Sequence, residues 1–190
     1  MTNCSKISKN LTLVACANSV AGLRSRLVLI KFDDIDRKQT KPMGNILEGI
    51  ILKDNAVAGL EWEFVENGLE ADCTLNKGTY RNTFSHKVAG KALLKSQEVK
   101  DEIGNLAHSR VVAVVENKDN NSEETRFEVY GFENGLRMAE LSSPTTDADG
   151  VHYSFSLQSD DNARESALPL SFYAGDADST EAAFAALIKK

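Results

Sequence analysis

The chain has 190 residues, 42% of them hydrophobic and 26% charged, with a formal net charge of −6. That composition excludes a disordered polypeptide and argues against general affinity for nucleic acid or anionic membrane, since both need basic surface. One domain spanning residues 1–190, large enough to bury a core without staples, is the expectation.

Residues 1–23 read as an N-terminal arm. Within them, 11–17 (LTLVACA) follows Lys6 and Lys9 and imitates a lipoprotein-type signal ending near Cys16, but the apolar run is short and interrupted by Thr12. No run of 18 or more apolar residues occurs anywhere, so no membrane span is expected. Cys4, Cys16 and Cys73 lack any C-x-x-C spacing, which indicates neither a disulfide framework nor a zinc site and makes a reduced, intracellular context the default. Pairing of Cys4 with Cys16 through a folded-back arm stays open, while Cys73 alternates with Ala71 and Leu75 and reads as a small core residue.

Residues 27–32 (LVLIKF) form a continuous apolar run, the mark of a buried strand, ending at Asp33-Asp34. Asp33, Asp34 and Asp36 lack the glycine of a calcium loop and instead end the strand. A polar loop over 37–45 leads to a probable strand at 46–52, weakened by Gly49. A meander follows. Trp62 and Phe64 share one face of 60–66, Asn67-Gly68 turns the chain, and Leu69, Ala71, Cys73 and Leu75 face inward on the return. Asn76-Lys77-Gly78 turns it again, and Tyr80, Phe84 and Val88 line a third strand, with Asn82 and His86 interrupting that face. The polar side of 60–76 carries Glu61, Glu63, Glu66, Glu70 and Asp72 with no Lys or Arg among them. Like charges facing each other across strands cost stability, so this face is either solvated or serves a partner.

Ser96 is placed to cap a helix running to about His108, with Val99, Ile103, Leu106 and Ala107 on one face and Gly104 as a weak point. Then 109–117 (SRVVAVVEN) and 126–133 (RFEVYGFE) read as strands, Asn134-Gly135 and Asp149-Gly150 as hairpin turns, and 117–124 and 142–150 as exposed loops. Over 151–157, Val151, Tyr153, Phe155 and Leu157 alternate with polar residues, as in a half-buried strand. Near the C-terminus, Asp178 and Glu181 have capping-box spacing before an apolar stripe of Phe184, Leu187 and Ile188, with Lys189-Lys190 complementing the helix dipole. The fold class is therefore mainly β: an antiparallel β-sandwich or half-barrel with one flanking helix and a short C-terminal helix.

Reactive chemistry is sparse. His86, His108 and His152 fall on different elements, none in H-E-x-x-H spacing, and His86 and His152 read as surface or edge residues. Phosphate-binding glycine loops are absent, no cofactor is indicated, and aromatic residues are too few for a stacking platform.

The segments 21–36 (AGLRSRLVLIKFDDID), 127–141 (FEVYGFENGLRMAEL) and 167–188 (ALPLSFYAGDADSTEAAFAALI) follow one another in an order that resembles the tail-tube or tail-ring structural proteins of tailed phages and prophages of Bacteroidetes-type hosts. The phrase V-Y-G-x-x-x-G-L at 129–136 and ADSTEAAFAAL at 177–187 carry most of the likeness. The resemblance implies a virion protein made in the host cytoplasm and no catalytic residues. It also implies subunits joined in rings, usually hexameric, whose inner sheets line a lumen for DNA. On that reading Glu61, Glu63, Glu66, Glu70 and Asp72 face the lumen and repel passing DNA. Leu11, Leu13 and Val14 belong to an arm that either completes a neighbour's sheet or folds back on its own subunit, and other tail proteins are the remaining partners. Two further classes stay open: a β-sandwich module binding a glycan or host protein, and an enzyme whose site cannot be read from spacing.

Overall fold

A computed structural model of the protein describes residues 20–93, 96–119, 122–146 and 151–188. Among them are ten strands: β1 (Leu23–Lys31), β2 (Ile46–Leu47), β3 (Leu60–Glu63), β4 (Leu69–Asn76), β5 (Thr83–Leu93), β6 (Val111–Asn117), β7 (Phe127–Tyr130), β8 (Leu136–Ser142), β9 (His152–Ser159) and β10 (Leu170–Phe172). Two α-helices accompany them, α1 (Gln97–Ala107) and α2 (Ala177–Ala186). The molecule is mainly β, as its alternation and turns lead one to expect.

The strands form one hydrogen-bonded system folded into two layers. The first layer runs β3-β1-β6-β7-β10-β2 and the second β4-β5-β9-β8, with Val111 opposite Leu136 as the join. Every pairing is antiparallel except β10 with β2, so the sheet is mixed rather than purely antiparallel. β1 and β6 are central and buried on both faces, which explains their unbroken apolar runs. One phase of them (Leu27, Leu29, Ala113, Val115) packs with Val88, Phe155 and Leu157 of the second layer and with Ile103 and Leu106 of α1. The other phase (Val28, Ile30, Val112, Val114) packs on Phe127, Phe172, Phe184 and Leu187, beneath α2. Two cores thus share one wall.

Both Asn-Gly dipeptides do something other than expected. A two-residue type I′ hairpin needs positive φ at both central residues. At the first site only Asn67 has it (φ 60°), and at the second only Gly135 (φ 79°). Accordingly β3 pairs with β1 while β4 pairs with β5, and β7 pairs with β6 while β8 pairs with β9. Each Asn-Gly turns a corner that carries the chain from one layer to the other. The hairpins lie elsewhere: β4 to β5 through 77–82, as expected, β6 to β7, and β8 to β9, whose Asp149-Gly150 lies outside the described residues.

Other expectations need correction. The strand expected at 46–52 is only Ile46–Leu47. Tyr80 is not on a strand but in the β4–β5 loop, 99% exposed, and Leu75 is half exposed. α1 is capped by Ser96, whose hydroxyl accepts the Val99 N–H (3.2 Å), but α2 is capped by Asp176 rather than Asp178, its carboxylate accepting from the Ser179 N–H (2.8 Å). Glu181, freed from a capping role, meets Arg126 instead (2.7 Å). His86 and His152 are not surface residues; both are fully buried. The arm residues Leu11, Leu13 and Val14, together with Cys4 and Cys16, lie outside the described residues.

Candidate functional site

The second layer ends in an open edge on each side. β4 pairs along its whole length with β5 and has no strand on its other edge among the described residues. β8 pairs with β9, and among the described residues its outer edge pairs with a strand only at Val111. Because each pairing from β4 through β5 and β9 to β8 is antiparallel, β4 and β8 run in opposite directions. β4 carries no Pro, Lys or bulge, although Glu70 and Asp72 charge it, and β8 has a register irregularity between Met138 and Glu140. Each edge strand also carries a leucine left 48% exposed, Leu75 on β4 and Leu141 on β8.

The outward face of this layer is polar and built from small side chains. Ala89 of β5 lies opposite Ser156 of β9, and Lys91 opposite Ser154. With Glu70, Lys87 and Glu140 they shape a shallow depression of 320 Å³. Asp72 stands opposite Lys87 across the strands and accepts a hydrogen bond from Thr74 Oγ1 (3.1 Å).

The five carboxylates of 60–76 do not share one face. Glu70 and Asp72 project outward from the second layer, opposite in phase to the core residue Leu69. Glu61 and, by alternation, Glu63 project from the first layer on the α2 side. There Arg26, whose guanidinium lies 4.9 Å from the centre of the Phe184 ring, binds Glu61 at 2.5 Å. Glu66 sits at the corner, 3.4 Å from Lys118. The expectation of an uncompensated acidic surface is corrected by tertiary structure: the bases come from Arg26, Lys87 and Lys118, none of them inside the segment.

A second polar cluster surrounds a 320 Å³ cavity lined by Arg37, His86, Phe132, Glu133, Glu165 and Leu168, among others. His86 sits on β5 between Phe84 and Val88, in the inward phase, so its burial was visible in the alternation. Its Nδ1 accepts the Gly131 N–H (3.1 Å) while Nε2 meets the Ala167 carbonyl (3.0 Å). A carbonyl can only accept, so Nε2 carries the proton and the ring is neutral. Burial lowers its pKa from the ordinary 6.5, against the pull of the Ala167 carbonyl and Glu133. Glu165 accepts the N–H groups of Glu133 (2.7 Å) and Asn134 (2.9 Å), and Glu133 returns a bond by accepting the Ser166 N–H (2.7 Å). Burial raises the Glu165 pKa despite those two donors. Arg37 is stacked between the rings of Phe32 (4.3 Å) and Phe132 (4.4 Å) and donates Nη1–H to the Phe132 carbonyl, leaving Nε and Nη2 buried without a partner. The polar atoms of His86 and Glu165 are thus engaged in holding backbone. Burial and the negative charges of Asp72, Glu128 and Glu165 push the Cys73 thiol up to about 11, so it is a protonated thiol rather than a nucleophilic thiolate at neutral pH.

Among the described residues no group of three or more His, Cys, Asp or Glu side chains is placed to hold a metal ion, and no helix is long and apolar enough to cross a membrane. No protein-family model, curated protein or solved structure matches the chain.

Proposed function

We propose that the chain is a non-enzymatic structural protein of a phage tail whose copies associate edge to edge into a ring or tube that conducts DNA. The observation that carries this reading is the pair of open, oppositely directed edges on one four-stranded layer. β8 of one copy extends β4 of the next in antiparallel fashion, burying Leu75 and Leu141, and a head-to-tail contact repeated by rotation closes into a ring. Six copies, the number implied by the resemblance, bring 24 strands together. At about 4.8 Å per strand and a tilt of about 40° the barrel is about 50 Å across, backbone to backbone, wide enough for a duplex.

On this reading the outward face of the second layer becomes the lining. It balances Glu70, Asp72 and Glu140 against Lys87, Lys91 and Arg137, with Ala89, Ser154 and Ser156 between them. Phosphates meet no cationic stripe that would hold them, so DNA passes without specific binding. Glu61, Glu63 and Glu66 lie away from that lining, so of the five carboxylates only Glu70 and Asp72 join Glu140 there.

Light scattering and electron microscopy of the purified full chain test the assembly, with rings or tubes expected; a monomer at every concentration overturns it. The edge itself is tested by Cys73→Pro and Thr74→Pro. Successive N–H groups of a strand point to opposite sides, so one of the two variants removes only an outward donor. That variant is expected to keep the β-type circular dichroism of the parent and to stay monomeric. If both assemble normally, β4 is not the connector.

A further inference from the structure

At the joint between the two layers, three segments distant in sequence meet on one imidazole. Gly131 opens the corner from β7 to β8, and residues 160–168 form a strap whose Phe84–Glu165 backbone bridge lies beside β5. His86 connects both to β5: the corner through the Gly131 N–H and the strap through the Ala167 carbonyl. Glu165 then ties the strap to the corner directly.

We infer that His86 is a proton-operated latch: a proton taken up at Nδ1 replaces the acceptor facing Gly131 by a donor and frees the corner, loosening the Glu165 and Glu133 bonds between corner and strap, while Nε2–H keeps the Ala167 carbonyl and the shared central sheet stays folded. The chemistry is an acid–base step with simple bookkeeping. Nδ1 of the neutral ring gains a proton from solvent, the imidazolium has two N–H donors and no acceptor, and the Gly131 N–H is left facing an N–H. A buried donor without an acceptor, beside a buried charge, drives that part of the structure open.

The groups around the ring are set for such a response. Cys73 lies opposite His86 on β4, a protonated thiol. Tyr130 of β7 stands edge-on at 5.5 Å, its hydroxyl donating to Glu128 (3.0 Å). Glu133 of the corner and Glu165 of the strap are carboxyls, and Arg37 is the cation across the cavity. Burial outweighs the attraction of Glu133, so the ring is neutral in the closed state and gains affinity for a proton once the joint opens. Opening is therefore linked to proton uptake. Below pH 6.5 the opening equilibrium grows up to tenfold per pH unit until the closed-state pKa is reached. Glu165 works against this, because its raised pKa favours the closed state on acidification. Glu165 acts from its ordinary 4.5 upward and His86 from 6.5 downward, so the latch shows itself most cleanly just below pH 6.5.

The latch stands independently of the assembly reading, because its readout is local amide protection. Hydrogen exchange of the full chain, corrected for intrinsic rates, is followed at pH 7, 6 and 5 in the parent, in His86→Gln and in His152→Gln. In the parent and in His152→Gln, exchange at 131–135 and 165–168 is expected to rise several-fold per pH unit while β6 stays protected. His86→Gln keeps a donor and an acceptor but cannot titrate, so its exchange is expected not to rise on acidification and to fall where Glu165 takes up its proton. Flat exchange in the parent, an equal rise in His86→Gln, or simultaneous loss in β6 overturns the latch. Should His86→Gln fail to fold, a nitrogen-15 titration of the parent decides. An Nε2-protonated ring whose protonation accompanies opening of 131–135 supports the proposal, and an Nδ1-protonated ring at pH 7 sinks it.

Discussion

Glu116 closes the second core. Its carboxylate is 3% exposed and lies 2.9 Å from Arg126, 3.2 Å from Arg24 and 4.0 Å from Arg26. Glu181 adds a second carboxylate, 2.7 Å from Arg126 and 3.8 Å from Arg26. The apolar rings beneath, Phe127 stacked on Phe184 at 4.4 Å, carry Arg126 and Arg26 on their faces. A buried carboxylate is tolerated only where its charge is answered, and removing it leaves three guanidinium groups crowded over apolar surface. Glu116→Ala is expected to lower stability by about 3 kcal/mol, read as a shift of the urea midpoint at constant slope. Arg24→Met is expected to cost under about 1 kcal/mol, because that side chain is 47% exposed and its charge is screened by water. Neither Glu116 nor Glu165 could be recognised from sequence as a buried acid, since the groups that answer them come from remote segments. His86 could have been, since its inward phase between Phe84 and Val88 is local.

Local pattern was sufficient for three elements and insufficient for the turns. β1 and β6 follow from apolar runs, and α1 from a cap and a stripe, since each depends on neighbours along the chain. The destination of a turn does not. Asn-Gly signals that the chain reverses or bends, but corner and hairpin differ by which strand waits on the far side, and that strand is β5 for one corner and β9 for the other. Gly131 is the residue on which the second corner depends. It sits at φ 71°, and a Cβ there would fall 2.5 Å from Leu136 Cγ, so Gly131→Ala is expected to cost about 2–4 kcal/mol in chemical denaturation. Gly104, inside α1, has open space where a Cβ would go, and Gly104→Ala is expected to stabilise by about 1 kcal/mol. Opposite signs in the two variants separate a glycine required by geometry from one that merely weakens a helix.

In the whole molecule, neither core draws on a described residue before Leu23. On the assembly reading, deleting residues 1–13, and with them Leu11 and Leu13, is expected to leave circular dichroism and urea midpoint unchanged. If the arm joins neighbouring copies it abolishes assembly as seen by light scattering, and rings of normal mass from the truncated chain remove the arm from the interface. The shared wall of the two cores has a different consequence, for the order in which the protein can be made. β1 leaves the ribosome well before β6, the strand that covers its long edge and that ends only at Asn117. At roughly 5–20 residues per second the nascent chain waits roughly 4–17 s with the β6-facing edge of Leu27–Ile30 unpaired, although β3 reaches the other edge sooner. β2 waits longer still, for β10, which is among the last strands to emerge. Until then the Leu-Val-Leu-Ile edge is as open to a sister chain on the same messenger as to its own β6. Synthesis thus opens a brief window in which shielding by a chaperone decides between folding and aggregation.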